Sequence, residues 1–267
     1  NIYKGFSANI NIAAFSLVAK SPAVFYYLFK SKKLLFKILC GLLIFMIASC
    51  LSILLSRGAF IAFATLVLLL FVYTLINKKY NYTLSYSILF SSVLISYLIF
   101  SNLSVTNQDS LLNNRITSIQ FDGGDQSINE RLRFYKGAFE SIKENPLLGI
   151  GIGNWKIKSM KYDARYSKGY RVPFHAHNDI LQVAAESGIL ASIFFILFLI
   201  YPFYVFIKHK IYNNLDLKYF SILLMLIVYI IDTLINFPIA RPISHIFLIF
   251  VSITLIFLAD RYEKNNI

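Results

Sequence analysis

Long apolar runs separated by short polar breaks dominate the chain. Runs of roughly 20 apolar residues, the length that crosses a bilayer as a helix, fall at 10–29, 34–55, 59–76, 84–100, 180–207, 219–235 and 243–258. They are continuous rather than alternating and far exceed the roughly 10 residues of a barrel strand, so no strands are expected. The pattern predicts an all-α integral membrane protein with seven transmembrane helices. The other long stretch, 101–179, is rich in Asn, Asp, Gly, Arg and Lys and too long for a passive connection. It predicts one large loop subdomain, so that the chain divides into membrane helices 1–4 over 1–100, the loop over 101–179 and membrane helices 5–7 over 180–267. Lys20 interrupts the first run, where a charge is costly unless paired or facing a wet cavity; Ser21-Pro22 offers a break in that helix instead.

Inside the loop, Ser127 with Glu130 reads as a capping box that opens a helix, and Asn145-Pro146 stops it. Leu132, Tyr135, Phe139 and Ile142 recur on one stripe of that helix, which is expected to face the membrane domain. Arg131 and Arg133 lie in its first turns, where a cation opposes the helix dipole. That placement points to an anionic ligand, with a solvated charged face as the competing reading. The next segment carries Gly149, Gly151 and Gly153 in alternation and resembles half of a phosphate-binding fingerprint, but the strand and βαβ unit that fingerprint needs are missing. A close-packing turn at the bilayer surface, anchored by an interfacial Trp155, fits the context better. From Lys156 to Arg171 the loop is basic and tyrosine-rich, suited to a lid over an anionic lipid or glycan, or to a plain headgroup-facing surface.

Composition agrees with the runs: 57% of the 267 residues are hydrophobic and only 15% are charged, with a mean hydropathy of +0.63. A soluble domain of this size does not need so much apolar surface. The formal charge of +13 comes from 26 Lys and Arg against 13 Asp and Glu. Its distribution speaks to topology rather than to nucleic acid, because Lys30, Lys32, Lys33, Lys37, Lys78, Lys79, Lys208, Lys210, Lys218, Arg261 and Lys264 all fall in connections that one orientation makes cytoplasmic. The same orientation puts Ser56-Arg57-Gly58, the 101–179 loop and Pro238 to Pro242 together on the outer side. Arg57 and Arg241 are cations to which the orientation rule gives no role, which leaves ligand binding or snorkelling to headgroups. Cys40 and Cys50 share one predicted helix about 15 Å apart along its axis, too far for a disulfide, and read as buried structural thiols. No cleavable signal is visible and the chain starts at Asn1 rather than methionine, which leaves two readings open, a truncated chain and a reduced architecture.

The chemistry concentrates at His175-Ala176-His177-Asn178-Asp179, followed by Gln182 and Glu186, where the polar loop runs into an apolar helix. Asp179 reads as the N-cap, with Gln182 three residues on. His177 then lies just outside a helix N-terminus whose dipole disfavours the imidazolium, and a neutral imidazole is a base. The competing reading is two histidines decorating an interfacial loop. A metal site at His175, His177 and Asp179 is the weaker reading, since the ligands would crowd one turn with no distant fourth partner. No metal and no cofactor are expected.

Ser56-Arg57-Gly58-Ala59, an Arg-rich loop helix ending in Asn145-Pro146-Leu147-Leu148-Gly149-Ile150-Gly151, and His177-Asn178-Asp179-Ile180-Leu181-Gln182 with Glu186-Ser187-Gly188-Ile189 follow one another in an order and spacing that resembles the O-antigen ligase and O-antigen polymerase family. The resemblance covers roughly 9 to the C-terminus, and Asn236-Phe237-Pro238 through Arg241-Pro242 is similar to the segment before the last span in members from the Bacteroidetes. It implies a helical fold in the bacterial inner membrane that transfers a glycan from undecaprenyl diphosphate, at the periplasmic side, to a lipid A core, a growing glycan or a protein hydroxyl. No nucleotide sugar, nucleic acid or obligatory metal takes part in that reaction. By the matching motifs, Arg57 and Arg131 would bind the carrier diphosphate, His177 would serve as base and Glu186 would support the site. Arg115 and Arg133 are alternatives to Arg131, while His175, Asn178 and Arg241 would contact substrate. The family usually has more than seven spans. An anion or small-solute transporter with Lys20, Arg57 and Arg241 along its path is the competing function, although no internal repeat of the transporter kind is evident; a structural membrane subunit is a third.

Overall fold

The computed structural model describes residues 9–77, 82–102, 126–163, 173–209 and 216–264. Every regular element among them is helical. The helices are α1 (Ile10–Val18), α2 (Ser21–Lys30), α3 (Leu34–Leu54), α4 (Arg57–Ile76), α5 (Thr83–Asn102), α6 (Gln126–Glu144), α7 (Trp155–Asp163), α8 (Asp179–Ser187), α9 (Ile189–Lys208), α10 (Leu217–Ile235) and α11 (Pro242–Lys264), with a short 3₁₀ turn at Pro238–Ala240. Seven stretches are long and apolar enough to cross a membrane, α1 and α2 together forming the first. The chain is an all-α integral membrane protein. Outward-facing Leu35, Met46, Ile61, Leu94, Phe194 and Leu197 on these spans are all more than 40% exposed, as a protein solvated by hydrocarbon requires.

Two compact units divide the chain. The first comprises 1–119 with 215–228. Within it α3 packs on α5, α2 and α1, and α1 also contacts α4. The α1–α2 junction falls at Lys20, which is exposed, with Pro22 at the start of α2 where a missing N–H costs nothing. Gly41 brings α3 so close to α5 that a Cβ there would press into Ile88. Polar side chains between these helices pair with one another: Lys37 Nζ donates to Ser85 Oγ at 2.7 Å, and Ser49 Oγ to Ser96 Oγ at 3.2 Å. Both cysteines are free; Cys40 is buried, but Cys50 is exposed rather than a second core thiol.

The second unit comprises 120–214 with 229–267. Here the 180–207 run proves to be two helices, because Gly188 takes a φ of 89° and ends α8 before α9 begins. Ile189 N then donates to Pro146 O (2.9 Å), while Ile150 N and Gly151 N donate to Ala185 O and Glu186 O (each 2.9 Å). The glycine-rich turn thus satisfies carbonyls that the end of α8 would leave orphaned. A Cβ at Gly149 would collide with the Glu186 backbone, and one at Gly188 with the Leu147 carbonyl. Trp155 is not an interfacial anchor: it is 1% exposed and forms a core with Ala138, Ala176 and Ala185, against which Phe134, Ile142 and Leu181 pack. The loop helix α6 buries the expected stripe only in part: Ile142 packs on this core and Tyr135 turns inward, but Leu132 and Phe139 are more than half exposed, while Phe134 and Ala138 face α8.

Candidate functional site

The site grows from the N-terminus of α8. Asn178, not Asp179, is the N-cap: its Oδ1 accepts from Leu181 N at 3.1 Å, and its Nδ2 donates to Leu234 O at 3.3 Å. Gln182 does not complete a capping box, because its Oε1 accepts from Ala176 N instead (3.0 Å). The shift of the cap by one residue sends Asp179 inward. It is fully buried, and its Oδ2 accepts from Ile239 N at 2.8 Å.

His177, immediately before the cap, has a φ of 57°. Histidine visits this left-handed region more readily than most residues, but it remains a conformation the surroundings must enforce. Tyr135 on α6 helps to do so, with its Oη 3.1 Å from His177 O and 3.3 Å from Leu234 O. Two rings confine the imidazole: Phe134 stacks on it at 6.0 Å, and Phe237 meets it edge-on at 5.1 Å. Phe237 also carries His175 on its face, the rings nearly parallel at 4.1 Å, and the Arg241 guanidinium lies 5.6 Å from its centroid. One phenylalanine therefore organises two histidines and an arginine.

Burial, with the charges of Arg131 and His175 adding to it, pushes the His177 pKa down to about 4. Burial also lowers His175, Gln182 opposing and Arg241 reinforcing. Both imidazoles are neutral at neutral pH. Burial pushes the Asp179 carboxyl up to about 8, the Ile239 N–H and Arg241 opposing and Asp232 adding.

Arg241 is held by Asp232 (Nη2 to Oδ2, 2.8 Å) and donates from Nε to Phe237 O (3.3 Å), while Asn236 Nδ2 donates to Asp232 Oδ1 (2.7 Å). Removing either member of such a buried ion pair costs about 3–5 kcal/mol. Glu186 sits at the far end of α8, about 10 Å along the axis from Asp179, where its Oε1 accepts from Trp155 N at 3.0 Å and tethers the start of α7. Arg133 lies about 200° around α6 from Arg131 and lines a polar cavity of about 380 Å³ with Lys136, Glu140, Glu144, Lys161 and Tyr162. There Glu144 pairs with Lys161 (2.7 Å) and accepts from Tyr162 Oη (2.9 Å).

The second unit thus brings together His175, His177, Asn178 and Arg241, with the charge of Arg131 acting on His177; Glu186 and Arg133 face other neighbours. In the first unit Arg57 opens α4 and helps to line an apolar groove of about 830 Å³ with Leu51, Phe60, Phe63, Leu94 and Tyr97. Arg115 and 164–172 of the basic stretch lie outside the described residues. Among the described residues, no group of three or more His, Cys, Asp or Glu side chains gathers to hold a metal ion. Sequence reasoning missed Tyr135, Phe237 and Asp232. Only Asp232 advertises itself, as an acid within an apolar run; the other two acquire meaning through contacts distant in sequence.

The family model described as O-antigen ligase matches residues 41–196. No curated protein matches the chain at a significant level.

Proposed function

The chain belongs to the O-antigen ligase family, a multi-pass membrane enzyme of the glycan-transferring type, and from that premise we propose that it moves a glycan from undecaprenyl diphosphate to an acceptor hydroxyl of a lipid A core, a growing glycan or a protein. The reaction takes place at the periplasmic face of the bacterial inner membrane, the side to which the positive-inside distribution assigns the loop. The observation that carries the reading is the His177 imidazole, neutral, confined by Phe134 and Phe237, and subject to the charge of Arg131.

In this reaction the acceptor oxygen forms a bond to the anomeric carbon as the bond from that carbon to the diphosphate oxygen breaks. The acceptor proton passes to His177, and the electron pair leaves with undecaprenyl diphosphate. A diphosphate leaving group needs charge neutralisation rather than a proton, which guanidinium forks supply bidentately without a metal. Arg131 takes that role, and the family motif implies a carrier-binding role for Arg57. The apolar groove that Arg57 helps to line suits an isoprenoid chain. Arg241, with Nε and one Nη engaged by the protein, contributes field and position. Glu186 acts through its tether to Trp155.

A pKa near 4 makes His177 a weak base in the free enzyme, and efficient proton transfer favours a pKa nearer the working pH. Donor binding opposes part of this, because a diphosphate paired with Arg131 cancels some of the charge that adds to the larger effect of burial on the imidazole. The base strengthens only when the donor is present.

His177→Asn is the informative variant, since asparagine tolerates the left-handed backbone that His177 adopts. Assayed in membranes with an undecaprenyl-diphosphate-linked glycan, H177N and Arg131→Ala are expected to lose transfer by roughly 10²-fold or more while accumulating normally. Full activity in H177N would overturn the assignment.

A further inference from the structure

Asp179 is buried, acidic and without a step in the reaction. Its partner, Ile239, lies in the turn that follows α10, with Phe237 on one side and Arg241 on the other. Ile239 N–H makes no helical hydrogen bond of its own: within the turn the bonds run from Ala240 N to Phe237 O and from Arg241 N to Pro238 O. The carboxylate is therefore the attachment point for that N–H. The other links described between the turn region and the head of α8 are the stacking of Phe237 against the two histidines, the weak bond from Asn178 to Leu234 O, and the Tyr135 hydroxyl that lies between His177 O and Leu234 O; the last two end on α10 rather than on the turn itself. Ring stacking leaves sliding freedom; a 2.8 Å hydrogen bond from a buried side chain does not.

We propose that Asp179 is a positioning residue: by accepting the Ile239 N–H it latches the Pro238–Ala240 turn to the head of α8, and so sets Phe237 and Arg241 in register with His175 and His177. The requirement is for an acceptor oxygen at that point rather than for a negative charge. Two features fit: Asp179 faces Asp232 as well as Arg241 electrostatically, and its Oδ1 is buried with no hydrogen-bond partner among the described residues, a state that a second ionised oxygen would make costly. The inference rests on the glycan-transfer reading for its kinetic consequence but not for its structural one.

The test compares Asp179→Asn, which keeps an oxygen able to accept from Ile239, with Asp179→Ala, which removes it. Hydrogen–deuterium exchange of the purified full chain in detergent is expected to show faster uptake in the peptide covering 236–241 for D179A, and uptake close to the parent's for D179N. In the transfer assay D179A is expected to lose roughly tenfold to a hundredfold, with the donor KM raised, while D179N stays within a few-fold of the parent. Should D179A fail to accumulate, Asp179→Ser supplies the same comparison, since it keeps a small polar side chain in the first turn after the Asn178 cap while its shorter reach leaves the hydroxyl short of Ile239 N. Unchanged exchange in D179A, or a loss in D179N equal to that in D179A, overturns the latch. If H177N keeps full activity the transfer reading falls, yet the exchange comparison still decides the latch.

Discussion

At the scale of single residues, burial fixes protonation, and protonation sets the chemistry. In the proposed reaction His177 serves as the base because it is kept neutral, and the residues keeping it so are apolar rings and a neighbouring cation rather than a hydrogen-bonded carboxylate. The sign of the pH dependence follows. Protonation below the folded pKa removes the base, so the acid limb of kcat/KM, which reports the free enzyme, is expected near pH 4 rather than near the 6.5 of an ordinary histidine. The acid limb of kcat reports the donor complex and is expected at higher pH, because the donor diphosphate relieves the charge of Arg131. A pH-rate series separating the two parameters checks this; coincident limbs would remove donor-induced strengthening of the base. The histidine pair and the arginines were legible in the sequence because polar groups beside a membrane span are rare. The inward turn of Asp179 was not, since a cap moved by one residue looks identical in sequence and reverses the direction in which a side chain points.

At the scale of elements, α8 acts as a short rigid post between a reactive head and an anchored foot. Its head carries the histidines; its foot carries Glu186, whose carboxylate receives the first N–H of α7 and complements that helix's dipole. Trp155, buried beside it, makes α7 and α8 share one core with α6. Trp155→Ala is expected to cost about 3–5 kcal/mol by leaving a cavity. Glu186→Gln retains an acceptor and is expected to cost far less than Glu186→Ala, which orphans a buried N–H at about 1–3 kcal/mol. Thermal unfolding in detergent orders the three. An inactive E186Q of full stability would instead put Glu186 in the chemistry. The existence of α6 and its end were readable from its apolar content and stop signal, but its start was not, since Ser127 lies inside the helix rather than capping it. Its buried face was legible only in part: Tyr135 and Ile142 turn inward, but Leu132 and Phe139 repeat at helical spacing just as well as Phe134 and Ala138, and only the partner helix decides between two adjacent stripes.

At the scale of the whole molecule, the spans were the most legible feature, because hydrocarbon requires unbroken apolar helices and rewards no other pattern. The break at Gly188 escaped notice because the chain is apolar before Glu186 and again from Ile189, so Glu186-Ser187-Gly188 reads as a short polar patch within one helix. The lipid-facing surfaces are correspondingly intolerant of charge. Leu197, half exposed in the middle of α9, is expected on substitution by lysine to cost about 2.5–3.5 kcal/mol of insertion free energy, measured as loss of full-length protein from the membrane fraction. Undiminished membrane yield would mean that this face does not meet lipid.

Gly149 and Gly188 interlock the backbone of the loop with that of α8, each where a Cβ would strike another main chain. In genetic terms this is an unusually strict constraint. Every amino-acid change reachable from a glycine codon by one base substitution adds a Cβ, so neither position has a conservative neighbour in mutational space. The junction between loop and span can vary only by moving both partners at once, which leaves little freedom to drift at the post beside the histidines.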